Sequence, residues 1–175
     1  MDSFRTNLPA TLSTERLVLA TPVRAHVKAM AELANNKRIF QVLARLPHPY
    51  AESDGEVFVD TIARGDTEHA WSILRDDSYI GVIGLHLLPG QAPELGYWLG
   101  EPHWGHGYAT EAAVAVVAAA RAAGYPALRS RALASNSGSR NVLRKAGFIE
   151  THEGLDPAGN NKGKPAVFMY LEFGL

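Results

Sequence analysis

The sequence predicts an α/β chain: a mixed sheet with helices on its faces. Three observations lead there. Apolar residues recur at helical spacing in the first third. From about residue 70 the pattern changes to that of strands. Around position 105 a strand-like run, a glycine loop, a long apolar helix and a further strand follow in turn, the order of a right-handed parallel crossover.

Residues 16–21 read as a first strand, stopped by Pro22. Val23, Val27, Met30, Leu33 and Ala34 fall at helical spacing, so a helix follows. Residues 39–46 form a second short helix, broken by Pro47-His48-Pro49. Ser53 and Glu56 make a capping-box pattern. Val57, Phe58, Thr61 and Ile62 give the helix behind it one apolar face, and Gly65 ends it. Residues 70–74 and 79–87 are strands joined by Asp76-Asp77-Ser78. Pro89-Gly90 and Pro93 turn the chain into a third, 94–99, completing an antiparallel meander. The helix over 108–123 is closed by Gly124 and Pro126. Residues 128–134 are a strand. Residues 136–146 are a helix with Val142, Leu143 and Ala146 on one face, capped by Gly147. Residues 148–151 and 166–173 are closing strands, and the Gly-, Asn- and Lys-rich stretch 155–164 between them is expected to be mobile. The order β-α-α-α-β-β-β-α-β-α-β-β carries seven strands.

Composition narrows the function. One domain is expected for 175 residues. A formal net charge of −1 gives none of the basic excess of a nucleic-acid binder. The lack of cysteine removes disulfides, thiolate metal sites and a cysteine nucleophile. No apolar run is long enough to span a bilayer, and residues 1–9 do not read as a signal peptide, so a soluble cytoplasmic protein is expected. The histidines are scattered without ligand spacing, and no metal is expected.

The densest signal is Trp104-Gly105-His106-Gly107-Tyr108-Ala109-Thr110-Glu111-Ala112. Glycines at 105 and 107 leave the backbone bare. Consecutive N–H groups and the positive end of the following helix then make a receptor for phosphate or pyrophosphate. Taken alone, the loop is equally an ordinary tight turn.

With those residues in view, the chain resembles the GNAT superfamily of acetyl-CoA-dependent N-acetyltransferases. More narrowly it is similar to the RimJ/RimL type, the ribosomal-protein N-terminal acetyltransferases. The superfamily's Q/R-x-x-G-x-G/A pattern falls on Trp104 to Ala109, with Trp104 in the place of Gln or Arg. A second signature, N-x-x-S…K-x-G-F, falls on Asn136, Ser139, Lys145, Gly147 and Phe148. His48-Pro49-Tyr50 and Glu94-Leu95-Gly96-Tyr97-Trp98-Leu99 also look like this branch.

The resemblance implies a GNAT fold with a seven-stranded mixed sheet, and acetyl-CoA as cosubstrate. Trp104, Gly105 and the backbone amides of His106, Gly107, Tyr108, Ala109 and Thr110 would bind its pyrophosphate. The strand edge near Leu99 would pair with the pantetheine arm, and a backbone N–H there would polarise the thioester carbonyl. Strands 94–99 and 128–134 would splay to admit the thioester, with Asn136 and Ser139 facing the arm and its sulfur. Many relatives carry a general-acid Tyr four residues after Ser139. Here that position is Leu143, which leaves Ser139 as the group beside the departing thiolate.

Each assignment has a plainer rival. Glu94 is the candidate base for the amine, or a half-exposed strand carboxylate, with Glu153 and Asp156 as alternatives. Asn136 is equally a helix cap. The His106 side chain equally faces solvent. Glu111 is explained by the helix dipole. Arg129 and Arg131 share a strand face and are most simply solvated, or meet an acidic substrate. His48 and Tyr50 line an acceptor pocket or form a rigid turn. Of Tyr97 and Trp98, one belongs to the core and the other to the cleft.

The expected function is acetyl transfer to a primary amine, of a protein N-terminus or a small molecule, by direct attack in a ternary complex. Without cysteine no acetyl-thioenzyme forms. The competing reading is a non-catalytic acyl-CoA-binding or regulatory protein of the same fold. Oligomeric state is left open, a homodimer included.

Overall fold

The structure, a computed structural model, describes residues 4–174. One mixed sheet of eight strands runs through it in the order β1-β2-β3-β4-β5-β6-β8-β7. Seven correspond to the expected strands. The eighth is β1 (Leu12–Ser13), which pairs antiparallel with β2 (Val18–Ala20). Two residues are too short to show alternation, so the sequence does not announce β1.

Strands β3 (Glu68–Arg75), β4 (Ser78–His86) and β5 (Glu94–Leu99) form the antiparallel meander. In β3 and β4 most residues are buried, because helices cover both faces of the sheet. One face carries α1 (Val27–Ala34), α2 (Lys37–Phe40) and α3 (Glu52–Val57). Met30, Ala34, Ile39 and Tyr50 pack there with Tyr79 and Trp98. The other carries α4 (Tyr108–Ala123) and α5 (Ser137–Lys145). Along α4, Ala112, Ala113, Val116, Ala120 and Ala123 turn inward onto Leu85, Leu95 and Leu128. Small side chains let this helix lie close on the sheet.

Two helical expectations and one loop expectation are corrected. The second helix ends at Phe40, and residues 41–46 form turns, because the Phe40 and Gln41 N–H groups close only one helical turn onto Asn36 and Lys37. The third begins at Glu52, ahead of the Ser53 pattern. Asp54 supplies the carboxylate that accepts from the Ala51 N–H (2.8 Å). It then widens into a π-helical turn over Phe58–Ile62. The stretch 155–164, expected to be mobile, is tied down instead: the Asn160 N–H donates to Ala44 O (2.9 Å) and its side-chain amide to Leu46 O (2.8 Å).

The seam between β5 and β6 (Ala127–Leu133) positions everything that follows. These strands are parallel and pair at one place, Glu94 opposite Arg129. The Arg129 N–H reaches Pro93 O (2.9 Å), and the buried Ser130 hydroxyl donates to Leu95 O (2.7 Å). Beyond Leu95 the strands part. The sheet resumes with β6 against β8 (Pro165–Glu172), and β8 against the edge strand β7 (Ile149–Leu155).

Candidate active site

In β5, peptide groups alternate in direction. The carbonyls of Pro93 and Leu95 accept bonds from the β6 side, whereas the Gly100 N–H bonds back to Ile80 O on β4 (2.8 Å). Leu95, Tyr97 and Leu99 therefore turn their peptide groups into the gap. The Leu99 carbonyl is taken by the Trp104 indole N–H (2.8 Å). The Tyr97 amide and the Leu99 N–H are left as a bare strand edge, the geometry an extended chain needs to add a rung.

At the mouth of the gap lies the glycine loop. Gly105 (φ 78°) and Gly107 (φ 80°) are both left-handed, and Gly107 is the N-cap of α4. The first helical bond runs from the Glu111 N–H to Gly107 O (3.0 Å). Among the described residues no protein acceptor takes the N–H groups of residues 105 to 110. Four or more donors thus point outward at a helix N-terminus. Tyr108 is buried, so it offers only its backbone; Arg16 (4.6 Å) and Arg75 (5.1 Å) lie over its ring. The His106 carbonyl accepts from Arg16 (3.0 Å). Arg16 also pairs with Glu111 (2.7 Å), as does the Thr14 hydroxyl (2.7 Å). Burial pushes the Glu111 carboxyl up, but the bonds from Thr14 and Arg16 outweigh it and hold the group below its ordinary range. Glu111 therefore fastens the N-terminal hairpin to the loop, a more specific role than the dipole effect expected of it.

A cleft of about 730 Å³ opens between the loop, β5, β6 and α5. Trp104, Gly105, Gly107, Tyr108, Ala109, Thr110, Leu99, Asn136 and Ser139 all line it. Asn136 caps α5 through the Ser139 N–H (3.2 Å) and faces this cleft as well. Burial raises the Tyr97 hydroxyl above its ordinary range, and the Ser139 side chain, on the facing helix, lowers it in part. Leu143 is buried in the core.

A second cavity of about 670 Å³ lies on the opposite face of the sheet. It shares Leu95, Gly96, Tyr97, Trp98, Arg131 and Ala132 with the first. The parted seam thus separates two chambers. Tyr97 projects to one and Trp98 to the other, so neither is purely core. Tyr50 lines the second chamber, its hydroxyl pushed up to about 12 by burial, while His48 stacks on Phe40 (5.1 Å).

Glu94 projects into this second chamber, but cations surround it. Arg131 bonds it at 3.0 Å, with Arg129 at 3.6 Å and Arg45 at 4.0 Å. Arg131 also holds the buried Asp156 (3.3 Å). Arg129 and Arg131, expected to be solvated, are a structural clamp instead. Glu153 lies exposed on the edge strand. Sequence reasoning missed Glu68 and His86, which face the same chamber. Burial lifts Glu68 to about 7, Glu94 adding to the rise and Arg45 and Arg5 opposing it. Glu68 meets His86 Nδ1 at 3.1 Å. Only strand register brings these two beside Glu94, and no local pattern in the sequence reports register.

A divided sheet, a loop of unpartnered backbone donors at its mouth and a cavity on each face make up the site. Comparison with known proteins agrees. Residues 16–149 match the acetyltransferase (GNAT) domain family, and the chain belongs to that family. It is 32% identical over 104 residues to the uncharacterized N-acetyltransferase YycN of Bacillus subtilis (strain 168), covering 55% of this chain and 67% of the relative. The microcin C7 self-immunity acetyltransferase MccE, solved with acetyl-CoA and AMP, superimposes with a TM-score of 0.81 at 17% identity, covering 96% of this chain and 99% of MccE. RimL, the ribosomal L7/L12 α-N-protein acetyltransferase solved with coenzyme A, gives 0.80 at 18% identity, covering 95% and 97%. At such identities the two structures establish the shared fold.

Proposed function

We propose that the chain moves the acetyl group of acetyl-CoA to a primary amine by direct attack in a ternary complex. The observation that carries the reading is the parted seam, with a bare cradle at its mouth and a chamber on each side. The backbone N–H groups of residues 105 to 110 would hold the cofactor's diphosphate. The pantetheine arm would pair with the free edge at Tyr97 and Leu99, which brings the thioester to the narrow part of the gap. The amine would enter from the second chamber. As the C–S bond breaks, the Ser139 and Tyr97 hydroxyls would stabilise the thiolate by hydrogen bonding.

The charge of the second chamber bears on the acceptor. Arg45 and Arg131 stand there beside Asp54, Glu68, Glu94 and Asp156, and Met30, Val57 and Phe58 form an apolar side. Four carboxyl groups against two guanidiniums suit an ammonium, and the apolar side suits an uncharged arm beside it. Primary amines are therefore the favoured class of acceptor, on a peptide or on a small molecule. The test is to incubate the protein with acetyl-CoA and a panel of peptides, monoamines and polyamines, following free thiol. Turnover on any of these acceptors supports the reading. Tight CoA binding without turnover on any amine refutes it and assigns a binding module instead.

A further inference from the structure

The charged groups of the second chamber form a row across the sheet. Glu68 on β3 is opposite His86 on β4, His86 is opposite Glu94 on β5, and Glu94 is opposite Arg129 on β6. All four belong to one face. Their surroundings differ along the row. Glu94 is held among three guanidinium groups, one of which, Arg131, hydrogen-bonds it (3.0 Å). Glu68 has one close side-chain partner, the imidazole of His86, and most of its surface is removed from water. Both line the chamber from which the amine would arrive.

We propose that Glu68, backed by His86, is the proton acceptor for the incoming amine, and that Glu94 is an anchor for the arginines. This rests on the acetyltransferase reading above. The ammonium gives one proton, through an intervening water, to the Glu68 carboxylate. The freed nitrogen lone pair forms the C–N bond while the carbonyl π pair moves onto oxygen. When that pair returns, the C–S bond breaks with its electrons on sulfur. The second nitrogen proton ends on sulfur, and Glu68 returns its proton to solvent through the water that delivered it. With Glu68 ionised, Nδ1 of His86 is the atom that carries the bridging hydrogen.

The groups facing Glu68 fit this division. His86 comes from β4, Glu94 from β5, Arg45 from the segment after α2, and Asp54 lines the chamber from α3. From the N-terminal turn, Arg5 bonds the Glu68 carbonyl (3.0 Å). Burial, reinforced by Glu94, brings the carboxyl to about 7, where a base is half-available at neutral pH. Burial also lowers His86, so it stays neutral beside Glu68.

The experiment is the pH profile of kcat/KM for wild type, E68Q and H86A with an acceptor that wild type acetylates. The wild type should show a rising limb near neutrality, separate from the limb set by the amine. E68Q should lose that limb and fall roughly 100-fold or more at neutral pH, with the KM for acetyl-CoA within about twofold. H86A should move the limb to higher pH, because the carboxylate loses its donor. A folded E68Q with wild-type rate and limb overturns the proposal. If E68Q does not fold, an unmoved limb in H86A overturns it. A wild type inactive on every amine is a different result: it defeats the acetyltransferase reading itself.

Discussion

Glu68 makes a prediction about stability that is independent of any substrate. Its carboxyl rises from an ordinary 4.5 to about 7 in the folded protein, chiefly through burial. Between those values the folded chain holds a proton that the unfolded chain has released. Stability from this group is therefore fully present below 4.5 and is lost as pH rises through 7. The difference is worth about 3 kcal/mol. In E68Q the neutral amide keeps the shape without the charge. The variant should match wild type near pH 4.5 and exceed it at about pH 8, by roughly 6–12 °C in Tm for a chain of this size. His86 works in the opposite direction. Its lowered value means that its contribution is present above 6.5 and is lost as pH falls through the folded value. The variant-minus-wild-type difference in thermal melts across this range cancels most of that background. A difference that stays flat with pH would show that the carboxyl is not held in a poorly solvated site, and the argument would fail.

Three further tests address other parts of the site. Gly107→Val places a β-branched residue at φ 80°, a strain of roughly 1–2 kcal/mol, and crowds Arg16, 3.4 Å from the new Cβ. CoA affinity by calorimetry should fall about tenfold, and unchanged affinity would remove the loop from the site. Ser139→Ala and Tyr97→Phe should each lower kcat by about tenfold with little change in the KM for acetyl-CoA. Equal losses in binding would make them packing residues. Arg131→Met leaves the buried Asp156 without its ion-pair partner and Glu94 without its hydrogen-bonded one, and should destabilise by about 3–5 kcal/mol in denaturant unfolding. A loss under about 1 kcal/mol would mean that water already solvates the cluster.

The sequence disclosed those parts of the molecule whose physics is local. The glycine loop, its helix and the Asn136 cap of α5 are short-range features, and each is where the spacing indicates. The buried runs of β3 and β4 show in composition alone. What depends on register stayed hidden. Arg129 and Arg131 look like solvated neighbours on a strand until β5 sets Glu94 against them. Glu68 and His86 are eighteen residues apart and face each other only through the β3–β4 pairing. The expected mobility of 155–164 rested on its Gly and Asn content. Asn160 instead uses its amide to bridge to a distant turn, a long-range bond that composition does not report.

The single rung joining β5 to β6 has a mechanical consequence. A sheet so lightly stitched at its centre resists bending there less than elsewhere, and a ligand threaded along the free edge would serve as a keystone for both halves. Occupancy should then slow amide exchange at Tyr97 and Leu99 and raise the melting point with ligand concentration. The protein would reach its full rigidity only when loaded.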